Sequence, residues 1–149
     1  MDRDDDLMRE ALRLARLGAD AGEVPVGAVA VLRGEIVAGA FNSPISRNDP
    51  TAHAEILVLR QAAERIGNYR LEGVTIYCTL EPCAMCAGAL VHARIQRLIY
   101  GADDPKAGAV QSVIRVLNHP QLNHKIEVRS GVLAGRSAEV LQSFFKSRR

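Results

Sequence analysis

Tryptophan is absent from the 149 residues, and only three phenylalanines, three tyrosines and three cysteines occur. Because aromatic residues make up 4%, any platform for stacking nucleic-acid bases must be small. No apolar run approaches the ~18 residues that a membrane span requires, since the longest nearly unbroken run covers only residues 26–32. A strong charge of one sign is also lacking. With 19 basic residues against 17 acidic ones, the total charge predicts no general attraction to nucleic acid.

The acidic start of the chain, Met-Asp-Arg-Asp-Asp-Asp, does not match a secretory signal peptide, which begins basic and then turns apolar. We therefore expect a cytoplasmic protein with no membrane partner. Three cysteines cannot close a disulfide framework, and the spacing of Cys83 and Cys86 is instead typical of metal-binding or redox-active thiols in a reducing compartment. Basic residues gather at the other end, Lys146 to Arg149, either as a solubilising terminus or as a contact for nucleic acid.

Length and composition predict one globular domain over residues 1–149. The apolar fraction of 48% and the charged fraction of 24% lie close to globular averages, which excludes disordered, collagen-like and low-complexity chains. A chain of this size buries roughly 68–70% of the surface of its unfolded state, enough for a substantial core. No internal repeat or linker interrupts the pattern.

Hydrophobic periodicity predicts the element order α-β-β-α-β-α-β-α-β-α. The strands are expected at residues 27–32, 36–41, 74–79, 98–101 and 126–129. The helices are expected around residues 7–15, 56–66, 82–94, 111–117 and 137–146. A hairpin followed by alternating helices and strands predicts an α/β fold of three α-β-α layers, with a five-stranded mixed sheet and helices on both faces.

Cys83 and Cys86 follow Pro82, a residue suited to the first turn of a helix, and side chains three residues apart lie on one helix face. The partial positive charge of a helix N-terminus favours thiolates, and two neighbouring thiolates need a cation such as zinc. His53 supplies a third ligand if the preceding helix starts there and both helix tips meet at one sheet edge. Three protein ligands leave a position for water, which is typical of a catalytic zinc site.

Glu55 lies two residues after His53, and a regular helix would turn these two side chains about 200° apart. Both line one pocket only if His53 stands at the very start of the helix, which the Asp49-Pro50 break favours. Zinc lowers the pKa of a bound water to about 7, and Glu55 would then move protons as a general acid and base. A Cys-x-x-Cys pair alone is equally typical of a structural-zinc or thiol-redox binding module, so that alternative stays open here.

Taken together, these motifs and their surroundings resemble the cytidine-deaminase-like superfamily, and within it the bacterial tRNA-specific adenosine deaminases. The zinc motifs alone fit any member of the superfamily. The narrower resemblance depends on the Asp-Pro-Thr-Ala-His-Ala-Glu run at 49–55, the Asp-Pro-Lys-Ala-Gly-Ala loop at 104–109 and the Phe144-Phe145 pair. The similarity extends over almost the whole chain, and it includes Asn42 and residues 23–29, 68–71, 79–88, 101–103 and 119–120.

This resemblance implies hydrolysis of adenosine to inosine at the wobble position of an arginine tRNA anticodon, with release of ammonia. It implies one zinc ion per subunit, held by His53, Cys83 and Cys86, with Glu55 as the proton carrier. It also implies a homodimer in which each site borrows surface from its partner. The residues expected to contact the base are Asn42, Val26, Leu80 and the Ala54 backbone. Asp104 is expected at the ribose, and the flanking nucleotides are assigned to Lys106, His119, Asn123, Phe145 and Arg148.

Alternatives to this assignment remain at the level of the sequence. The same zinc chemistry in a smaller pocket would serve a free nucleobase or nucleoside deaminase of the guanine or cytosine type. Asn42 is also an ordinary turn residue and Asp104 an ordinary helix cap. Asp103 stands where relatives in the family can carry a basic residue, so the double acid is expected to weaken RNA contact or shift context preference. Cys78 is expected to be a buried free thiol rather than a ligand.

Overall fold

The computed structural model describes residues 2–148, which form a five-stranded sheet and five helices. The strands are β1 (Gly27–Leu32), β2 (Glu35–Phe41), β3 (Val74–Leu80), β4 (Arg97–Ala102) and β5 (Glu127–Arg129). The helices are α1 (Arg3–Asp20), α2 (Pro44–Arg47), α3 (Ala54–Ile66), α4 (Ala84–Ala93) and α5 (Ala134–Ser147). Within residues 2–148 no helix combines the length and the hydropathy of a transmembrane segment.

The sheet is mixed, as the sequence predicts, with the strand order β2-β1-β3-β4-β5. β1 runs antiparallel to both β2 and β3, whereas β4 runs parallel to β3 and to β5. β3 and β4 therefore end at the same edge of the sheet, where β2 also ends and β1 begins. We call this the upper edge.

Alternate residues of the central strands face two separate cores, because successive side chains of a strand point to opposite faces. On β1, Ala28 and Ala30 pack in a core with α3 and α4. Val29 and Val31 pack on the opposite face, in a core that includes α1 and is flanked by α5. The helices thus cover both faces, and the predicted three-layer α/β fold is confirmed.

Gly27 lets α1 lie directly on the backbone of β1. A Cβ atom at this position would be 2.0 Å from the Ala11 carbonyl oxygen and 2.8 Å from the Ala15 amide nitrogen, and neither is able to move independently of the helix. Any larger residue would therefore push α1 away from the sheet. This close packing brings the end of α1 to the upper edge.

Two predictions about local structure are wrong. Residues 111–117 form turns rather than a helix, because the Val116 amide donates to the Ala109 carbonyl instead of to the carbonyl one helical turn earlier. The third major helix begins at Ala84 rather than at Pro82, which leaves Cys83 just outside the helix with extended backbone. Within the polar stretch 42–52, the structure also has the short helix α2, which the sequence does not predict.

Asp4 joins three elements far along the sequence from one another. Only 8% of this residue is exposed. The Tyr77 hydroxyl on β3 donates to its Oδ1 at 2.6 Å, and the Arg129 guanidinium on β5 donates to its Oδ2 at 2.6 Å. The carboxylate therefore fastens the start of α1 to the sheet.

We expect Asp4→Asn to lower the free energy of unfolding by about 1–3 kcal/mol, because an amide keeps only one of the two oxygens that accept from Tyr77 and Arg129 and loses the negative charge. Urea denaturation measures the change. Asp5→Asn is the matched control, since it removes the same charge from the first turn of α1, where acidic residues favour the helix. Equal losses of stability in the two variants would contradict the role given to Asp4.

Candidate metal centre

His53 and the two spaced cysteines come from the starts of two helices that meet at the upper edge. His53 lies directly before α3 with φ −71° and ψ 152°, and Cys83 lies directly before α4 with φ −76° and ψ 178°. Cys86 is buried in the first turn of α4. The His53 Nδ1 is 3.6 Å from the Cys83 Sγ and 3.4 Å from the Cys86 Sγ. The structure thus brings together the three residues that the sequence singles out.

The three donor atoms fit a zinc ion. All of them lie within 4.8 Å of one another, and no fourth histidine, cysteine or acidic ligand belongs to this group among residues 2–148. A tetrahedral zinc with Zn–N near ~2.0 Å and Zn–S near ~2.3 Å holds nitrogen and sulfur roughly 3.5 Å apart. The two observed N···S distances are of this size. One nitrogen and two sulfurs are also a donor set that zinc accepts readily, with one position left for another ligand.

The two thiols have opposite proton affinities. Hydrogen bonds from the side chains of Cys86 and His53 lower the pKa of Cys83 to about 3. The hydrogen bond to Cys83 and then burial raise the pKa of Cys86 well above its usual range. The hydrogen bond to Cys83 also raises the pKa of His53. A metal ion would take the place of the protons that Cys86 and His53 direct at Cys83, because it binds thiolates and neutral imidazole.

Glu55 faces the same centre from the first turn of α3. The side chain is 4% exposed, and burial raises the pKa of its carboxyl, while the neighbouring His53 opposes this effect. Because His53 stands outside the helix in extended backbone, the helical rotation that would separate the two side chains does not apply. The carboxyl is thus placed beside the donor group without belonging to it.

Cys78 on β3 is a buried free thiol, as the sequence predicts. It packs in the core between the sheet and helices α3 and α4. Burial and the neighbouring Glu55 raise the pKa of this thiol well above its usual range. Cys78 is therefore protonated and stands outside the donor group of His53, Cys83 and Cys86.

The residues expected at the base lie together at the upper edge. Asn42 follows β2, and its Oδ1 accepts the Ala54 amide proton at 2.8 Å at the start of α3. The backbone amide of Asn42 donates to the Val26 carbonyl oxygen at 3.0 Å. Val26 is buried just before β1, and Leu80 is the last residue of β3. These contacts bring Asn42 and Val26 to the start of α3 next to His53, and Leu80 lies three residues before Cys83 in the chain.

Two buried glutamates hold the loops around the centre, and neither is singled out by the sequence. Glu23 accepts the amide protons of Ile45 and Ser46, which anchors α2. Glu81, directly after β3, accepts four backbone amide protons from residues 104 and 110–112. Burial tends to raise its pKa, but these amides and the Ser112 hydroxyl lower the pKa of Glu81 to about 2. No local pattern marks either glutamate, because the amides that they bind lie 22 to 31 residues away in the sequence.

The residues expected at the ribose and flanking nucleotides lie at the surface. Asp104 closes a turn by accepting the amide protons of Lys106 and Ala107, so the alternative reading of Asp104 as a helix cap is wrong, because residues 111–117 form no helix. Asp103 accepts from Tyr100 and Gln111. Arg148 stacks over the Phe144 ring at 4.6 Å, in a groove of about 700 Å³ between α1 and α5. The other residues are exposed, namely Lys106, His119, Asn123 and Phe145. Arg149 of the basic terminus lies outside the described residues.

Comparison with known proteins gives consistent matches over nearly the whole chain. A family model described as MafB19-like deaminase matches residues 2–149. The tRNA-specific adenosine deaminase of Haemophilus influenzae is 49% identical over 147 residues, which cover 98% of this chain and 85% of that protein. The enzyme of the same name from Agrobacterium fabrum is 49% identical over 142 residues, which cover 95% of this chain and 93% of that protein.

Solved structures of deaminases have the same fold as this chain. One, from a study of A-to-I editing by tRNA:A34 deaminases at the wobble position of transfer RNA, has a TM-score of 0.88 and 49% identity. That match covers 91% of this chain and 99% of the other. A guanine deaminase from Nitrosomonas europaea has a TM-score of 0.83 at 24% identity, covering 94% of this chain and 83% of the other. At that identity the second match speaks for the fold alone.

We expect the purified protein to hold one zinc ion per chain, and His53→Ala to lose most of it, because two sulfurs alone leave the ion without its nitrogen donor. Elemental analysis after dialysis measures the content. Cys78→Ala and Cys83→Ala form a matched pair, since the first removes the core thiol and should keep the zinc, whereas the second removes a ligand. Full zinc content in His53→Ala would instead indicate a site built from the cysteines without the histidine.

Proposed function

The chain belongs to the family of the tRNA-specific adenosine deaminases, and from this membership we propose that it hydrolyses adenosine to inosine at the wobble position of a tRNA anticodon. The observation that supports this most strongly is the group of one histidine and two cysteines beside a buried glutamate, in a chain 49% identical to named tRNA deaminases. Water adds to the carbon that bears the exocyclic amine, and the carbon–nitrogen bond breaks to release ammonia. The substrate implied by the family resemblance is an arginine tRNA.

In this proposal His53, Cys83 and Cys86 hold one zinc ion per subunit. When bound, the ion supplies a Lewis acid that lowers the pKa of water at the fourth position. Both cysteines lie in the first turn of α4 or directly before it, where the free amide groups of the helix stabilise negative sulfur. His53 occupies the corresponding place before α3 and completes the donor set.

Glu55 carries protons in this reaction. Its carboxyl takes a proton from the attacking water and delivers it to the departing amine, the work of a general base and then of a general acid. Burial supports this role, because it raises the pKa of the carboxyl and so makes the carboxylate a stronger base. The position of Glu55 in the first turn of α3 also fixes it relative to His53.

Asn42 orients the base. Because its Oδ1 is engaged by the Ala54 amide, its Nδ2 points away from that bond and has no recorded partner among residues 2–148. The free amide hydrogens would donate to an acceptor on the adenine ring. Val26 and Leu80 form apolar walls, and extrusion of a base costs least from a loop such as an anticodon.

The surface residues contact the parts of the RNA outside the target base. Asp104 contacts the ribose, where a 2′-hydroxyl distinguishes RNA from DNA. The flanking nucleotides are contacted by Lys106, His119, Asn123, Phe145 and Arg148. Contacts with phosphates would make the affinity for RNA depend on salt concentration. We also propose that the enzyme works in the cytoplasm as a homodimer, with each site completed by surface from the partner.

Glu55→Gln should retain zinc and lower inosine formation in an anticodon stem-loop by about 10²–10⁴-fold, because the amide cannot carry a proton. Digestion of the product RNA and quantification of inosine measure the rate. Glu64→Gln, on an exposed position of the same helix, is the control and should leave the rate unchanged. A zinc-loaded protein that deaminates free guanine or cytosine and leaves every stem-loop unmodified would overturn the proposed substrate.

Asn42→Asp separates the two roles of this side chain. The aspartate keeps an oxygen for the Ala54 amide and removes the Nδ2 donor, so stability and zinc content should persist while kcat/KM falls about 10–100-fold. Asn42→Ala removes both interactions and should also lower the thermal midpoint. If Asn42→Asp deaminates stem-loops at the full rate, Asn42 is only a turn residue.

A further inference from the structure

Glu81 lies between the end of β3 and Cys83, the expected metal ligand. Only 2% of the residue is exposed, although it is a glutamate and lies two residues from the candidate metal centre. The ion pairs recorded among residues 2–148 do not include it. A buried carboxylate without a cationic partner needs hydrogen-bond donors to compensate its charge.

The donors come almost entirely from the backbone of one segment, residues 103–112, which we call the 103–112 loop. Oε1 accepts the Asp104 amide proton at 3.0 Å and the Ser112 hydroxyl proton. Oε2 accepts the amide protons of Val110 at 3.1 Å, Gln111 at 2.9 Å and Ser112 at 3.0 Å. Five donors thus converge on one carboxylate, and they come from both ends of the loop.

The loop backbone is shaped to let the carboxylate approach. At Gly108 a Cβ atom would lie 2.3 Å from the Glu81 Oε1 and 2.6 Å from the Asp104 carbonyl oxygen. Only glycine fits there while the carboxylate stays in place. Two main-chain hydrogen bonds reinforce these side-chain contacts. The Glu81 amide donates to the Ala102 carbonyl at 2.9 Å, and the Ala109 amide donates to the Pro82 carbonyl at 2.8 Å.

No neutral side chain reproduces this arrangement. A glutamine has one acceptor oxygen, and its NH₂ group would face backbone amides that also donate. At least two of the five donors would then lose their acceptor. The chain therefore depends on a negative charge at this position to define the path of the 103–112 loop.

We propose that Glu81 is a positioning residue that fixes the 103–112 loop relative to Cys83 and thereby sets the affinity of the site for RNA. This inference rests on the proposed function, in which Asp104 and Lys106 of that loop contact the substrate. Glu81 fixes the Asp104 amide directly, and Asp104 in turn holds the amides of Lys106 and Ala107. One buried side chain thus sets the distance between the metal centre and the residues that receive the ribose.

A loop released from Glu81 would still visit its binding conformation, but for a smaller fraction of the time. The apparent affinity falls by that fraction, whereas the chemical step, once RNA is bound, takes place in the same geometry. Loss of Glu81 should therefore affect KM much more than kcat. Loss of a residue with a purely structural role would lower the stability of the protein and would not raise KM selectively over kcat.

The test begins with Glu81→Gln in the zinc-loaded, full-length protein. Hydrogen exchange of the amides of residues 104 and 110–112, followed by NMR, should be at least about tenfold faster than in the unmodified protein. The KM for an anticodon stem-loop should rise about tenfold, with kcat changed less than about threefold and zinc content unchanged. Fluorescence anisotropy with the same stem-loop should show a matching loss of affinity.

Two variants approach the same contact from the loop side. Gly108→Ala leaves the carboxylate intact and pushes the loop away, so it should raise KM about as much as Glu81→Gln. Ser112→Ala removes only the hydroxyl donor and should raise KM about two- to threefold. Asp4→Asn is the control for general destabilisation, since it weakens the fold on the α1 side of the sheet and should leave KM unchanged.

Unchanged exchange of these four amides in Glu81→Gln would overturn the inference, whatever the activity. Faster exchange in Glu81→Gln without a rise in KM would also overturn the inference, and so would loss of zinc from this variant. If Glu81→Gln does not fold, Gly108→Ala decides by the same measurements. Failure of the proposed function has a different signature, because the unmodified protein would then neither bind the stem-loop nor form inosine, while the exchange experiment would still report whether Glu81 holds the loop.

Discussion

The structure depends on the meeting of two helix starts at one edge of a mixed sheet. β1 is antiparallel to both β2 and β3, so β2 and β3 end at the same edge, and the connections that lead into α3 and α4 begin there. His53 and Cys83 stand directly before these helices, in extended backbone that directs their side chains toward each other. A nitrogen and two sulfurs consequently lie at separations that suit a tetrahedral ion, and Glu55 reaches the same place from the first turn.

A second theme is the use of acceptor side chains to hold backbone amides around this centre. Asn42 binds the first amide of α3, Glu23 binds two amides of α2, and Glu81 binds four amides of the 103–112 loop. Ion pairs play little part in these contacts. Buried hydrogen bonds are less sensitive to salt than surface ion pairs, so the surroundings of the centre should keep their shape under conditions that weaken RNA binding.

Most of the architecture could be predicted from the sequence, because hydrophobic periodicity and glycine positions carry the signals for strands and long helices. The donor group was also accessible, since Pro82, Cys83 and Cys86 indicate a helix start, and the Asp49-Pro50 break indicates another. Residues 111–117 were wrongly predicted as a helix because their path depends on contacts with distant residues, such as Glu81 about 30 residues away, which no local pattern reveals. The short α2 was missed for the same reason, as its amides depend on Glu23.

We propose that the imidazole of His53 and the thiolates of Cys83 and Cys86 hold a single ion with an open position. X-ray absorption at the zinc edge of the purified protein tests this coordination directly. We expect two sulfur scatterers at about 2.3 Å and nitrogen or oxygen scatterers at about 2.0–2.1 Å, with the imidazole among them. A first shell of four sulfurs, or one without imidazole, would contradict it and would leave the two helix starts without a shared ion.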